Sequence, residues 1–319
     1  MPHRRQFLHR SLAFAGTGTL AIATLPVTQA VDPIDRAGGA KFRYSLAAYS
    51  LRKYFAFMKG KPKQPQGDGP PLNMHGFIDY CREQGFDAAE LTSYFFDAPV
   101  TDDTLRDLKR HAFLSGVAVT GTAIGNNFTL APEKLPRQIS ETKEWIRRAS
   151  VLGAPHIRIF AGTGAALAKH PERFDGICSA VEACAEVAAQ YGIFLGVENH
   201  GNLSSDQMLR IIKRIESPWV GINLDTGNFF SETPYNDIER CLPYAVNVQV
   251  KTMMRKPNGD RYPANFDRLA QLLVAARYQG DVVLEFEEAD AYQEIPPTFK
   301  ALKQAITKAM ATGTGSPGG

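Results

Sequence analysis

Four short segments in the second half of the chain constrain it most: Leu195-Gly-Val-Glu-Asn-His200, Gly221-Ile-Asn-Leu-Asp-Thr226, Ala245-Val-Asn-Val-Gln-Val-Lys251 and Val282-Val-Leu-Glu-Phe-Glu287. In each, apolar and polar residues alternate. Val246, Val248 and Val250 share one parity, and Asn247, Gln249 and Lys251 the other. Side chains on a strand point to opposite faces with period two. Each segment therefore reads as a strand with one apolar face. An acid or amide stands near each C-terminal end: Glu198, Asp225, Gln249 and Glu285. Stretches of helical length lie between them, near 205–215, 236–244 and 265–278. Four strand–helix units in succession predict the second half of a parallel α/β barrel, where active sites gather at strand ends.

The first half continues the alternation. Strands are expected over 42–50, 86–91, 117–124 and 156–161, with helices over 73–85, 102–115, 133–152 and 173–191 and a closing helix near 297–311. Thr101-Asp-Asp is a helix start, and Gly85, Gly153 and Gly192 are helix stops. Eight strands alternating with eight helices predict a single-domain (β/α)8 TIM barrel over 42–311. The length of 319 residues suits this, since such a barrel needs about 250. Residues 59–71, rich in Gly, Pro and Lys, follow the first strand, so they are expected on the active-site face as a lid or a solvated excursion.

The ends are read separately. His3-Arg-Arg-Gln-Phe-Leu-His9 carries an arginine pair before an apolar run over 11–25, and Thr28-Gln-Ala30 offers a small-residue cleavage site. These are the parts of a secretory signal, and the arginine pair makes it resemble a twin-arginine (Tat) export signal. Residues 1–30 are excluded from the fold, 31–41 are expected as a linker, and 312–319 as a disordered tail. Export by the Tat pathway to the periplasm or cell envelope is the expectation. The apolar run is too short for stable membrane insertion. Net charge is +3 with no basic stripe, so no nucleic-acid partner is expected. Four cysteines without a Cys-x-x-Cys pair read as buried apolar residues.

Glu90, Arg158, Glu198, Asp225, Lys251, Glu285 and Glu287 all fall on the inward parity. A charge inside a barrel is costly unless paired or metal-bound, and converging acids repel one another without a cation. Glu198, Asp225, Gln249 and Glu285, on four consecutive strands, are therefore expected to hold one divalent metal. All-oxygen donors favour magnesium or manganese, with cobalt or zinc as lesser options.

The motifs Val-Glu-Asn-His (197–200), Leu-Asp-Thr-Gly-Asn (224–228), Val-Gln-Val-Lys (248–251) and Leu-Glu-Phe-Glu (284–287), in that order, resemble the xylose-isomerase-like TIM-barrel superfamily. More closely they resemble its sugar isomerase/epimerase branch, which includes tagatose/psicose 3-epimerases and inosose-type enzymes. The resemblance implies a metal held by Glu198, Asp225, Gln249 and Glu285. Gln249 stands where the epimerases carry His, and its amide oxygen coordinates more weakly and relays no proton. Asn228 stands where a second His follows the Asp. The implied chemistry is Lewis-acid polarisation of a keto-sugar carbonyl. Glu198 and Glu285, on opposite sides of the sugar, then move the adjacent carbon-bound proton through an enediolate.

Supporting roles are expected for the remaining inward groups. Lys251 either stabilises the enediolate or pairs with Glu287. Arg158 either binds substrate hydroxyls or pairs with Glu90, which is itself counted among the substrate-binding residues. His200, just past its strand, either touches substrate, orients a ligand or serves as a cap. Tyr49, Tyr94 and Phe95 offer an aromatic wall or simply core.

The leading expectation is thus a metal-dependent isomerase or epimerase on a small, non-phosphorylated keto sugar or related polyol; no Gly-rich phosphate loop is present. A lyase or hydratase on 3-keto glycosides starts with the same proton abstraction, and a non-catalytic sugar-binding barrel is a third reading. An apurinic-site endonuclease would need a His cluster, and the seven histidines mostly lie away from strand ends. The resemblance leaves a homo-oligomer open.

Overall fold

The computed structural model describes residues 31–66 and 70–313, so the expected signal at 1–30 lies outside the described residues. Eight strands form the core: β1 (Lys41–Ala47), β2 (Ala88–Thr92), β3 (Ala118–Ala123), β4 (His156–Phe160), β5 (Phe194–Glu198), β6 (Val220–Asp225), β7 (Ala245–Lys251) and β8 (Gln279–Glu285). They close into one parallel barrel in the order β1-β8-β7-β6-β5-β4-β3-β2. Helices α1 (Met74–Glu83), α2 (Asp102–Leu114), α3 (Leu135–Leu152), α4 (Gly164–Lys169), α5 (Phe174–Tyr191), α6 (Ser205–Arg214), α7 (Pro234–Cys241), α8 (Phe266–Ala275) and α9 (Ala291–Gly313) alternate with them. The chain is a single (β/α)8 TIM barrel.

Local chemistry accounts for the element ends. Thr101 accepts from the Thr104 amide at the start of α2, and Ser204 and Gln207 form a reciprocal capping box at α6, an arrangement whose loss costs about 1 kcal/mol. Gly153 and Gly192 close α3 and α5 in the left-handed region, at φ 80° and 66°, where a Cβ would be strained. The outward parities, such as Ile157 and Ile159, Leu195 and Val197, and Val248 and Val250, are buried against the helices. All four cysteines are free and buried.

Three boundaries differ from the sequence expectation. The short helix α4 interrupts the β4–α5 connection, because Thr163 caps it by accepting from the Ala166 amide. The last helix begins at Ala291 and carries Pro296 and Pro297 inside it; lacking N–H groups, they cannot close bonds to the carbonyls one turn back. Its C-terminal end runs through Thr312, whose hydroxyl donates to the Lys308 carbonyl, so only 314–319 of the expected tail lie outside the described residues.

Residues 31–40 are bound across the N-terminal face of the barrel. Val31 and Ile34 donate backbone bonds to the Ile215 and Pro243 carbonyls. At that end His156 projects into the bore between two glycines. A Cβ on Gly121 would lie 2.7 Å from His156 Nδ1, and one on Gly196 would collide with Nε2. At the opposite, C-terminal face, the segment after β1 forms a small antiparallel hairpin, Phe57–Met58 with Lys61–Pro62.

Candidate active site

Register aligns the polar strand ends. Lys251 lies opposite Glu285, Gln249 opposite Asp225 and Asn223 opposite Glu198. The β6–β7 register shifts between Ile222 and Asn223, and the β2–β3 register between Ala89 and Glu90. Such irregularities re-aim side chains at barrel rims. Glu90, Arg158, Glu198, Asp225, Gln249, Lys251 and Glu285 are all at most 8% exposed.

Lys251 is the hub. Its Nζ lies 3.2 Å from Asp225 Oδ2, 3.5 Å from Glu285 Oε1 and 3.0 Å from Glu287 Oε1. The Glu287 pairing expected from sequence is present, joined by two further carboxylates. Burial opposes the ammonium, but Asp225, Glu285 and Glu287 outweigh it and hold the Lys251 pKa well above its ordinary value. Asn228 links this cluster to the next, since its Nδ2 donates to Asp225 Oδ2 and Glu198 Oε1, both at 2.9 Å. A continuous contact path thus runs Glu198–Asn228–Asp225–Lys251–Glu285.

Arg158 pairs with Glu198 rather than with Glu90, at 2.8 Å from Nε to Oε2. Among the described residues, Arg158 Nε makes no hydrogen bond of good geometry. Arg158 Nη1 donates to the Ile124 carbonyl at 2.6 Å and to the Tyr94 hydroxyl at 3.4 Å, and the guanidinium lies 4.2 Å from the Phe160 ring centroid. His200 sits at the rim, exposed, its ring 4.3 Å from that of Phe160. Desolvation, then the charges of Arg158 and Lys251, push its pKa down to about 4. Tyr49 and Tyr94 are partly buried beside the site, whereas Phe95 is core.

Beneath the carboxylates runs a chain of amides. Asn247 Nδ2 donates to Asn223 Oδ1 at 2.8 Å, and Asn223 Nδ2 donates to Gln249 Oε1 at 2.6 Å. Gln249 Nε2 then donates to both Glu90 oxygens at 3.2 Å. Glu90, on β2, is thereby tied to β7 with β1 and β8 between them. Desolvation, then the nearby Glu285, raises the Glu90 pKa to about 8. For Glu198, desolvation dominates, opposed by Arg158 and reinforced by Glu285, and the pKa stands at about 7.

Sequence reasoning did not anticipate Asn223, Asn247 and Asn199. The first two share the inward parity of Asp225 and Gln249, which is the signal that could have found them. Asn199 exchanges two bonds with the Asp225 backbone, donating to its carbonyl and accepting from its amide, both at 2.8 Å.

Among the described residues, no group of three or more His, Cys, Asp or Glu side chains stands ready to hold a metal ion. The Lys251 ammonium instead stands in as the cation among three carboxylates. The donor chemistry still fits a hard divalent ion. Five carboxylates (Glu90, Glu198, Asp225, Glu285 and Glu287) face two fixed cations, Arg158 and Lys251. The Gln249 carbonyl also retains a second lone pair.

A parallel barrel carrying acids at the C-terminal ends of its later strands defines a class, and comparison with known proteins agrees. The family described as xylose isomerase-like TIM barrel matches residues 78–307, and the chain belongs to that family. A 3-oxo-isoapionate decarboxylase from Pectobacterium atrosepticum is 24% identical over 206 residues, covering 64% of this chain and 68% of that protein. Among solved structures, an L-ribulose 3-epimerase matches with TM-score 0.65 and 15% identity over 86% of this chain and 99% of that one. The 3-keto-D-glucoside 4-epimerase from E. coli matches with TM-score 0.60 and 18% identity over 83% and 99%. A xylose isomerase-like TIM barrel protein from Mycobacterium smegmatis, in complex with magnesium, matches with TM-score 0.62 and 17% identity over 85% and 97%. At these identities the likeness to solved structures is one of fold, and the structural neighbours include sugar epimerases.

Proposed function

We propose that the protein is an isomerase or epimerase of a small, non-phosphorylated keto sugar, working by proton transfer at the carbon next to the carbonyl. The observation that carries this reading is the contact path from Glu198 through Asn228, Asp225 and Lys251 to Glu285. It joins two carboxylates from opposite ends of a four-strand run, as exchange of a proton between two faces of a sugar requires. The epimerase neighbours act on keto sugars by their names, and the decarboxylase relative on a 3-oxo acid. Anionic intermediates beside a carbonyl are common to these chemistries.

In this reading Glu198, Asp225, Gln249 and Glu285 would hold a divalent ion, manganese or magnesium first. When bound, it supplies Lewis-acid polarisation of the substrate carbonyl. Glu198 and Glu285 take and return the proton. Arg158 keeps Glu198 oriented and lends positive charge beside it. Lys251 gives up part of its carboxylate contact and faces the developing enediolate. His200 and Glu90 complete the rim and floor against which the sugar is held. The arginine pair and apolar run at the N-terminus support export by the Tat pathway to the periplasm or cell envelope.

The test is incubation with keto sugars in deuterated water, with and without added manganese, following carbon-bound deuterium by NMR. Incorporation that falls about 10²–10⁴-fold in both Glu198→Gln and Glu285→Gln supports the roles. Turnover that survives either substitution removes them.

A further inference from the structure

The end of the barrel opposite the carboxylates has a surface of its own. Helices run antiparallel to strands in this fold, so helix C-termini and strand N-termini share the N-terminal face. Six large hydrophobic residues are exposed among the described residues, and all six belong to that face. Phe113 and Leu114 are the last two residues of α2, and Tyr191 is the last of α5. Phe194 is the first residue of β5, Met310 lies in the last turn of α9, and Ile34 lies in the segment bound across the mouth. Phe113 is 83% exposed and Leu114 66%, so packing within the barrel does not account for them. Single exposed apolar residues are ordinary when scattered. Here they are confined to one end.

We propose that the N-terminal face docks onto a lipid bilayer, seating these side chains in the headgroup region and holding the carboxylate mouth towards water. Three observations select a bilayer over a protein partner. The six residues come from α2, α5, β5, α9 and 31–40, which are spread around the ring of strands rather than gathered on neighbouring helices. A protein partner needs a contiguous patch, whereas a flat bilayer meets separate protrusions at once. Basic residues stand among the aromatic ones. Lys109 and Arg110 lie about one turn before Phe113, Lys213 is in the last turn of α6, and Arg277 follows α8, all four exposed. Aromatic rings with Lys and Arg beside them suit a headgroup layer. The exposed acids Asp32, Asp35, Glu83 and Glu216 at the same end offset that charge, so apolar contact carries the docking. The third observation is where the chain enters the barrel. Val31 is buried at this face, its amide on the Ile215 carbonyl just past α6, and the apolar run over 11–25 precedes it. Six residue steps separate Leu25 from Val31, and they span at most about 20 Å. A membrane that holds the run therefore lies against this face and not against the carboxylate end.

The chain has two tryptophans, Trp145 and Trp219. Trp219 packs on Phe194 at the docking face, with ring centroids 5.1 Å apart. Trp145 lies within α3, beside a cavity at the C-terminal ends of β2 and β3. In the full chain, Trp145→Phe and Trp219→Phe variants therefore each leave one reporter, at opposite ends. The probe is vesicles of phosphatidylethanolamine and phosphatidylglycerol with brominated acyl chains, which quench at short range. Trp219 emission should fall about twofold on vesicle addition while Trp145 emission holds. The triple change Phe113→Ser, Leu114→Ser and Tyr191→Ser should remove most of that quenching, with thermal unfolding checking the fold. Phe113→Ser alone, at the most exposed position, should remove part of it. Vesicles that leave both tryptophans unquenched, or quench them equally, overturn the docked face. Trp219 quenching that survives the triple change overturns it too, since the N-terminal run then acts alone. Dimerisation seen by light scattering and lost in the triple variant, without vesicle quenching, overturns the lipid and assigns the face to a second copy of the chain.

Discussion

Replacing Lys251 by methionine tests the charge logic of the site. The substitution keeps the apolar stem of a residue only 8% exposed and removes an ammonium that lies 3.0–3.5 Å from three carboxylates. At an effective dielectric of about 20, each contact of this length is worth roughly 5 kcal/mol gross. Desolvation of the ammonium offsets much of the total. The net loss on breaking a buried pair is about 3–5 kcal/mol, because uncompensated carboxylates stay behind. For a barrel of this size that lowers Tm by about 5–10 °C. A divalent ion that takes the vacated place should restore about 2.7 kcal/mol at a concentration of 100 Kd. Chemical denaturation of wild type and Lys251→Met, each with chelator and with manganese, reads both effects. A variant as stable as wild type in chelator refutes Lys251 as the compensating cation. A destabilised variant that manganese fails to rescue refutes the fit of the donor set to a metal.

Further expectations follow from the same geometry. Asn228→Asp sets a third carboxylate against Glu198 and Asp225 and should cost about 3 kcal/mol or more at pH 7. Asn228→Ala, which leaves both acceptors short of one donor, should cost about 1–3 kcal/mol, and denaturant midpoints that reverse this order would count against the bridge. Gly196→Ala drives a methyl into the His156 ring and should cost about 1–3 kcal/mol by overpacking. His156→Ala should relieve most of that penalty in the double variant, whereas additive losses would place the clash elsewhere. His156 also makes a pH signature. Burial first, then Arg158, pushes its pKa down to about 3 from an ordinary 6.5, and its Nε2 has no hydrogen-bond partner among the described residues. Below pH 6.5 the unfolded chain takes up a proton that the folded chain refuses until about pH 3. The contribution is therefore complete above pH 6.5 and declines by up to roughly 4 kcal/mol as pH falls towards 3. Unfolding free energy of His156→Gln should fall less steeply than wild type over that window; parallel curves would contradict a neutral buried imidazole.

Much of the architecture was legible because the alternating pattern carries it. The parity of Val248 and Val250 against Gln249 and Lys251 follows from strand geometry alone, and the structure keeps it. Helix stops at Gly153 and Gly192 were readable from the need for a left-handed residue. The start of α9 was not, since it is expected near 297 whereas the helix begins at Ala291 and runs through Pro296 and Pro297.

Sequence by itself determined which side chains share the mouth of the barrel, because period two assigns each residue to a face and strand order assigns each strand an end. Only the tertiary structure decided who meets whom. Arg158 was free, by parity, to pair with Glu90 or Glu198; strand adjacency of β4 and β5 gave it Glu198. Glu90 instead meets Gln249 across 159 residues of sequence, a contact that exists only because the sheet closes and two register shifts turn these strands. Lys251 reaches three carboxylates rather than one because β6 and β8 flank β7. Alternation is a local property of the backbone, while partnership depends on closure, register and side-chain reach.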